Sequence, residues 1–316
     1  GGRRKGKGNC LADECVCVEE IRQAFLDENP AAMTINVNSN SDAVGNSDIY
    51  NRFYPGIQRV NAQLTDADIE IKKSNTNEVE LSVTGGLADD MEALKETLRV
   101  SASVGTLSIQ QEKKAGISVS YAASRLFGLK VGKCSAGIAI HIAVPEQFEK
   151  IKVKSISGDI KANNSNAKTL LIHTGSGDVG GEDCQADELF ASSISGDVNV
   201  IACKADKMDV VSVSGDIKAE FDKSAQCRAK STSGDCKVTI GNQVDAVVSS
   251  TSGDVNVRYI GEIGLEMVLS STSGDVSAVC GGINSKGKKK VQERFGEPDS
   301  KLKASTISGD IKVRDC

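Results

Sequence analysis

The stretch SISGDIKANNSNAKTLLIHTGSGDVGGEDCQADELFASSISGDVNV, residues 155–200, contains Ser-Gly-Asp three times, each glycine 19 residues after the last. Across the whole chain the tripeptide occurs eight times, with glycines at Gly158, Gly177, Gly196, Gly215, Gly234, Gly253, Gly274 and Gly309. The first five intervals are 19 residues, the next is 21 and the last is 35. A fixed period of this length marks a repeat architecture, in which each unit hides its apolar face only against its neighbours.

Around each tripeptide polarity alternates with the two-residue period of a strand. Apolar side chains recur five residues before the glycine (Val153, Ile172, Ala191, Val210), seven before (Ile151, Leu170, Leu189, Met208) and two after (Ile160, Val179, Val198, Ile217). Lys161, Asn199, Lys218, Lys237, Asn256 and Lys312 fall between them and are expected in solvent. Each unit reads as two strands joined by a Ser-Gly-Asp corner, with a second corner in the variable part. The predicted fold is therefore all-β, a single-chain parallel β-solenoid (β-helix-like) with 19-residue coils. The corner glycine is expected to supply a positive φ. The following Asp159, Asp178, Asp197, Asp216, Asp235, Asp254, Asp275 and Asp310 are expected to bond nearby amides, and the Ser or Thr three residues before each glycine to form a hydroxyl ladder.

Composition agrees with short strands and many turns: 31 Gly, 3% aromatics and no Trp in 316 residues. A net charge of −5 gives no reason to expect nucleic acid as partner, and no apolar run reaches the length of a membrane span. Three segments are predicted. Residues 1–30 are basic and Cys-rich with a short N-terminal helix over Asp13–Asn29, ended by Pro30. Residues 31–132 form irregular β-rich lead-in coils, and residues 133–316 the regular solenoid, with a solvated loop excursion at 281–300. A separate small β-domain is the competing reading of the lead-in.

Ten cysteines suit a secreted chain, and the basic start GGRRKGKG reads as a processed terminus. Cys184 and Cys203 are 19 residues apart and predicted to stack within disulfide range; Cys280 and Cys316 are a second candidate pair on adjacent coils. Cys227 and Cys236 flank one corner and form a third. Cys10, Cys15, Cys17 and Cys134 remain; their C-x4-C-x-C spacing lacks a zinc knuckle. Asn163-Asn164-Ser165 is a glycosylation sequon, Asn163 being the acceptor.

Residues 141–162, HIAVPEQFEKIKVKSISGDIKA, followed by repeated SxSGDV, resemble the bacterial adhesin-like family of β-strand-repeat proteins over roughly residues 34–316. The resemblance implies a long parallel β-solenoid, often at the cell surface, and supplies no catalytic residues. The cysteines and the N-terminal helix depart from the usual bacterial pattern.

An enzyme would need acids and bases clustered where the repeat breaks, whereas the aspartates recur in every coil. His141 and His173 are expected to face solvent without a carboxylate partner. Neither cofactor nor metal is expected; the calcium β-roll motif is absent. The expected function is a non-enzymatic extracellular or cell-surface protein. Its partner is expected to be a second copy joined end to end, through a last coil read as uncapped, or other surface and matrix proteins. A module binding glycan or Ca²⁺ through the Asp or Lys rows is the alternative.

Overall fold

The computed structural model describes residues 50–85, 98–111, 138–222 and 224–315. The helix expected over 13–29, the strands expected over 34–37 and 117–121, and Cys10, Cys15, Cys17, Cys134 and Cys316 lie outside them. The described residues form two long sheets. In spatial order sheet A runs β1 (Tyr50–Tyr54), β4 (Val79–Gly85), β7 (Ile138–Val144), β3 (Asp68–Lys73), β9 (Ile160–Asn163), β11 (Val179–Glu182), β13 (Val198–Ile201), β15 (Ile217–Phe221), β17 (Cys236–Ile240), β19 (Val255–Tyr259), β25 (Ile311–Asp315), β21 (Val276–Cys280) and β22 (Ile283–Lys288). Sheet B runs β5 (Leu98–Ser103), β6 (Thr106–Gln111), β2 (Arg59–Gln63), β8 (Phe148–Ser155), β10 (Asn166–Thr174), β12 (Gln185–Ser193), β14 (Lys204–Ser212), β16 (Gln226–Lys230), β18 (Asp245–Ser249), β24 (Ser300–Thr306), β20 (Gly264–Ser271) and β23 (Lys290–Gly296).

The interior of the stack is parallel, and its register follows the repeat: Leu170 pairs with Leu189, and Leu189 with Met208. Opposite, Val179 pairs with Val198, and Val198 with Ile217. The alternation predicted from sequence places Val153, Ile172, Val210, Ile160 and Val198 in the core, while Lys161, Asn199, Lys218, Lys237 and Lys312 are exposed. One continuous core cluster extends from Ile57 to Val313, so the described lead-in strands share the core of the regular coils.

Both ends depart from sequential stacking. The coil of β24 and β25 inserts between that of β18 and β19 and that of β20 and β21. The seventh repeat, around Gly274, is thus the outermost of the eight, and the eighth is internal. At the other end β2 and β3 insert in the same way, between β6 and β7 on one side and β8 and β9 on the other. At the Gly274 end the outer coil precedes the internal one in the chain, and at the other end it follows it.

The excursion at 281–300 is not a solvated loop, and the last coil is not uncapped. β22 pairs antiparallel with β21, and β23 antiparallel with β20, covering both edges of the outermost repeat. Phe295 of β23 packs edge-on against the buried Tyr259 ring, with centroids 5.7 Å apart, and lies over Gly281, where a Cβ would fall 2.2 Å from its ring. The other end is closed likewise by β4 on β7, β1 on β4, and β5 on β6, all antiparallel. The physical reason is the unpaired edge of a parallel stack, which antiparallel strands satisfy before the sheet is blunted by charge; β22 and β23 carry Lys286, Lys288, Lys290, Glu293 and Arg294.

Ending the chain after residue 299 would remove an internal coil, not a terminal one. Such a truncation is expected to abolish hydrogen-exchange protection in β20 and β21 as well as lower the melting temperature. Retained protection there would contradict the threaded order.

Candidate functional site

The most regular constellation is the Ser-Gly-Asp corner. At each repeat the hydroxyl three residues before the glycine accepts from that glycine's N–H, as for Gly196 to Ser193 (2.8 Å) and Gly215 to Ser212 (2.9 Å). From Thr174 onward the same hydroxyl also donates to the glycine carbonyl of the adjacent coil: Ser193 to Gly177 O (2.9 Å), Ser212 to Gly196 O (3.2 Å). The hydroxyls therefore bridge coils through backbone, not through one another as the ladder expectation had it. Each Asp then accepts at Oδ1 from the next Asp's backbone N–H, Asp178 from Asp197 and Asp197 from Asp216, both at 2.8 Å. This chain of bonds continues to Asp310, which accepts from Asp275 at 2.9 Å.

The corner glycines are required for closeness, not for positive φ, and none of the eight has one. A Cβ on Gly215 would lie 2.0 Å from Gly196 O, and one on Gly177 2.3 Å from Gly158 O. Positive φ sits instead at the second corner, on Asn164, Asp183, Ala202 and Gln243. A ninth, degenerate corner escaped the sequence reading. Leu64-Thr65-Asp66-Ala67-Asp68 stands where a further Ser-Gly-Asp would, with Ala67 O facing Gly158 and Asp68 Oδ1 accepting from Asp159 N–H at 2.9 Å. The signal available was only the spared aspartate.

The corner stack is polar along its axis, and both ends are capped by side chains. At Thr65, Asp66 and Ala67 three outward N–H groups donate to Gln111 Oε1 (3.0, 3.2 and 3.2 Å). At the opposite end Lys289 Nζ donates to Ser273 O (2.8 Å), Gly274 O (2.7 Å) and Asp275 Oδ1 (3.2 Å). An acceptor thus closes the donor end and a cation the carbonyl end, as at the termini of a helix. This explains one lysine of the 286–290 run.

The five described candidate cysteines are buried thiols. Cys184 and Cys203 precede β12 and β14, whose first residues, Gln185 and Lys204, are register partners. Ser165 stands 3.2 Å from Cys184 on the other side. The Cys203 thiol donating to Cys184 draws the Cys184 titration down and pushes that of Cys203 up, burial adding to the latter. Cys227 and Cys236 point to different carbonyls, Ser224 O (3.7 Å) and Ser249 O (3.5 Å). Burial pushes Cys227 up to about 12 and Cys280 up to about 11. Asn163 is half-buried at the end of β9, and Ser165 of its sequon lies in the core.

Both histidines correct the sequence reading. His141 has a carboxylate partner, Glu70 Oε2 at 2.8 Å from Nδ1, and Thr84 Oγ1 lies 3.3 Å from Nε2. Strands β3, β7 and β4 meet side by side there, a contact between segments 71 residues apart. His173 does point outward from sheet B, yet it is only 4% exposed, bonded to Ser192 Oγ at 2.9 Å. Phe190 and Val211, with Leu171 and Val213, form a second apolar cluster on that outer face. Burial, with Lys154 alongside, lowers His173 to about 4. Among the described residues no three His, Cys, Asp or Glu side chains are grouped to hold a metal.

Gly215→Ala must move a backbone carbonyl and is expected to cost about 2 kcal/mol or more in thermal or denaturant melts, whereas Gly215→Ser offers no relief. His173 binds its proton less readily folded than unfolded, so the folded state loses stability as pH falls from its ordinary 6.5 towards about 4. The loss is bounded at about 3 kcal/mol, and His173→Gln is expected to flatten the melting profile across that window.

A search among curated proteins finds no significant match. Among solved structures, an adhesin candidate from Bacteroides fragilis aligns at 18% identity over 84% of this chain and 96% of its own, with a TM-score of 0.46. A lipid-binding candidate from Parabacteroides distasonis aligns at 16% identity over 84% and 96%, with a TM-score of 0.40. A second protein of that organism, an adhesin candidate, aligns at 11% identity over 84% and 95%, with a TM-score of 0.39. A family model, Toastrack DUF4097, matches residues 57–314, nearly the whole described stack. The chain belongs to the Toastrack DUF4097 family.

Proposed function

We propose that this protein is a non-enzymatic, adhesin-like rod displayed at the cell surface or outside the cell. The observation that carries the reading is the use made of the acidic row. Its carboxylates are joined to the neighbouring coils' backbone amides, Asp159 to Asp178, Asp216 to Asp235 and Asp254 to Asp310 among them. A row so engaged is a building element of the coil, and the surface it leaves is a pair of long, regular sheet faces suited to contact. Surface biotinylation of intact cells, with immunogold imaging of native material, tests the location. Labelling confined to the cell interior would overturn it.

Cys184 and Cys203 are thiols in this structure, and their oxidation to a disulfide in the native protein would place it in an oxidising compartment. We expect the native protein, mapped without reductant, to yield a Cys184–Cys203 linked peptide, and reduction to cost about 3 kcal/mol by freeing the short loop between them. Alkylation of both thiols in native material would count against that placement. End-to-end association no longer has an open coil to rest on, and would have to proceed through the closing strands, β22 and β23 of one copy against β1 and β5 of the next. Light scattering showing a monomer at high concentration would exclude it.

A further inference from the structure

We infer that the outer face of sheet A binds a linear anionic polysaccharide, one carrying carboxylate or sulfate groups along its length. This deepens the surface-binding reading above by assigning it a site and a ligand class. The register of β15, β17, β19 and β25 aligns Lys218, Lys237, Asn256 and Lys312 in one row across the strands. Two residues along each strand, Glu220, Thr239, Arg258 and Arg314 form a second row beside it. Between them runs a groove of about 390 Å³.

Five of these eight side chains are cationic and one is anionic, in a chain whose net charge is −5. Lys218, Lys237, Arg258, Lys312 and Arg314 are all exposed. Glu220 Oε2 accepts from the Ala202 N–H at 3.3 Å, and Asp310 approaches Lys312 Nζ at 3.8 Å. Like charges held on neighbouring strands, about 4.8 Å apart, repel, and a polyanion laid across the strands relieves that repulsion.

The rows select the shape of the ligand. Their cations advance strand by strand along a straight axis, so a ligand with charges repeated along one extended chain engages several at once. A linear polysaccharide advances ring by ring with a comparable step. Asn256 and Thr239 stand among the cations and offer an amide and a hydroxyl to sugar hydroxyls. No aromatic side chain lines the groove, which leaves unstacked bases without a platform and disfavours single-stranded nucleic acid.

The test uses the full chain and immobilised dextran sulfate and polygalacturonate, with uncharged dextran, duplex DNA and phosphatidylserine vesicles as comparison probes. The wild type is expected to bind one or both anionic polysaccharides in a salt-dependent manner and to ignore uncharged dextran. Lys218→Gln, Lys237→Gln and Lys312→Gln combined are expected to weaken that binding by about tenfold. Lys168→Gln, Lys207→Gln and Lys301→Gln on sheet B remove the same charge and are expected to change it less than twofold. Equal weakening by the two triple variants, equal binding of uncharged dextran, or binding of DNA or vesicles alone would overturn the inference. Binding that survives the sheet A variant refutes this site while leaving the surface-binding reading standing; a surface-located protein that binds neither polysaccharide refutes the ligand class alone.

Discussion

The rest of the fold depends on one close approach, that of each corner glycine to the carbonyl at the same place in the neighbouring coil, a glycine's at every corner but Gly158's. The separation leaves no room for a Cβ, and it is what lets the Ser or Thr hydroxyl reach across to that carbonyl while still accepting from its own glycine's N–H. With the backbone held so close, each Asp carboxylate reaches the next coil's amide. The glycine N–H and the neighbouring glycine carbonyl are satisfied in buried positions, where leaving either unpaired would cost about 1–3 kcal/mol, and the aspartate amide is bonded nearer the surface. The strands on either side are then aligned in register, and their alternate side chains meet in one core.

A ladder of this kind has two different ends, and the molecule treats them differently. Gln111 presents an acceptor to exposed N–H groups, and Lys289 presents a cation to exposed carbonyls. The strand edges are closed at the same places by antiparallel pieces, and at both ends a coil is threaded behind the outermost one. Side-chain caps and strand caps thus solve the same problem, backbone polarity left over when a periodic structure stops. The open faces of the sheets, free of that duty, are where a ligand can be met, and the cations of sheet A concentrate on one of them.

Much of this was legible in one dimension because the corner repeats its chemistry at a fixed spacing. The strand faces, the core positions and the neighbour relation of Cys184 and Cys203 follow from the period and the two-residue alternation. His141 was misread because its carboxylate, Glu70, lies in the lead-in, where no repeat signals the pairing. His173 was misread because alternation tells which way a side chain points from a sheet, not whether an apolar cluster such as Phe190 and Val211 shelters it there.

By itself the sequence determined an all-β chain of stacked two-strand units with Ser-Gly-Asp at one corner, because local periodicity and turn composition act within a single unit. Only the tertiary structure decided why the glycine is needed, the order of the end coils, the strands that close them and the cation rows of sheet A. The glycine's neighbour is a carbonyl of another coil, the threading brings β25 between β19 and β21, and Lys312 joins the row of Lys237 and Asn256 only because that insertion places it there. Contacts between units set by a non-sequential path leave no period to read.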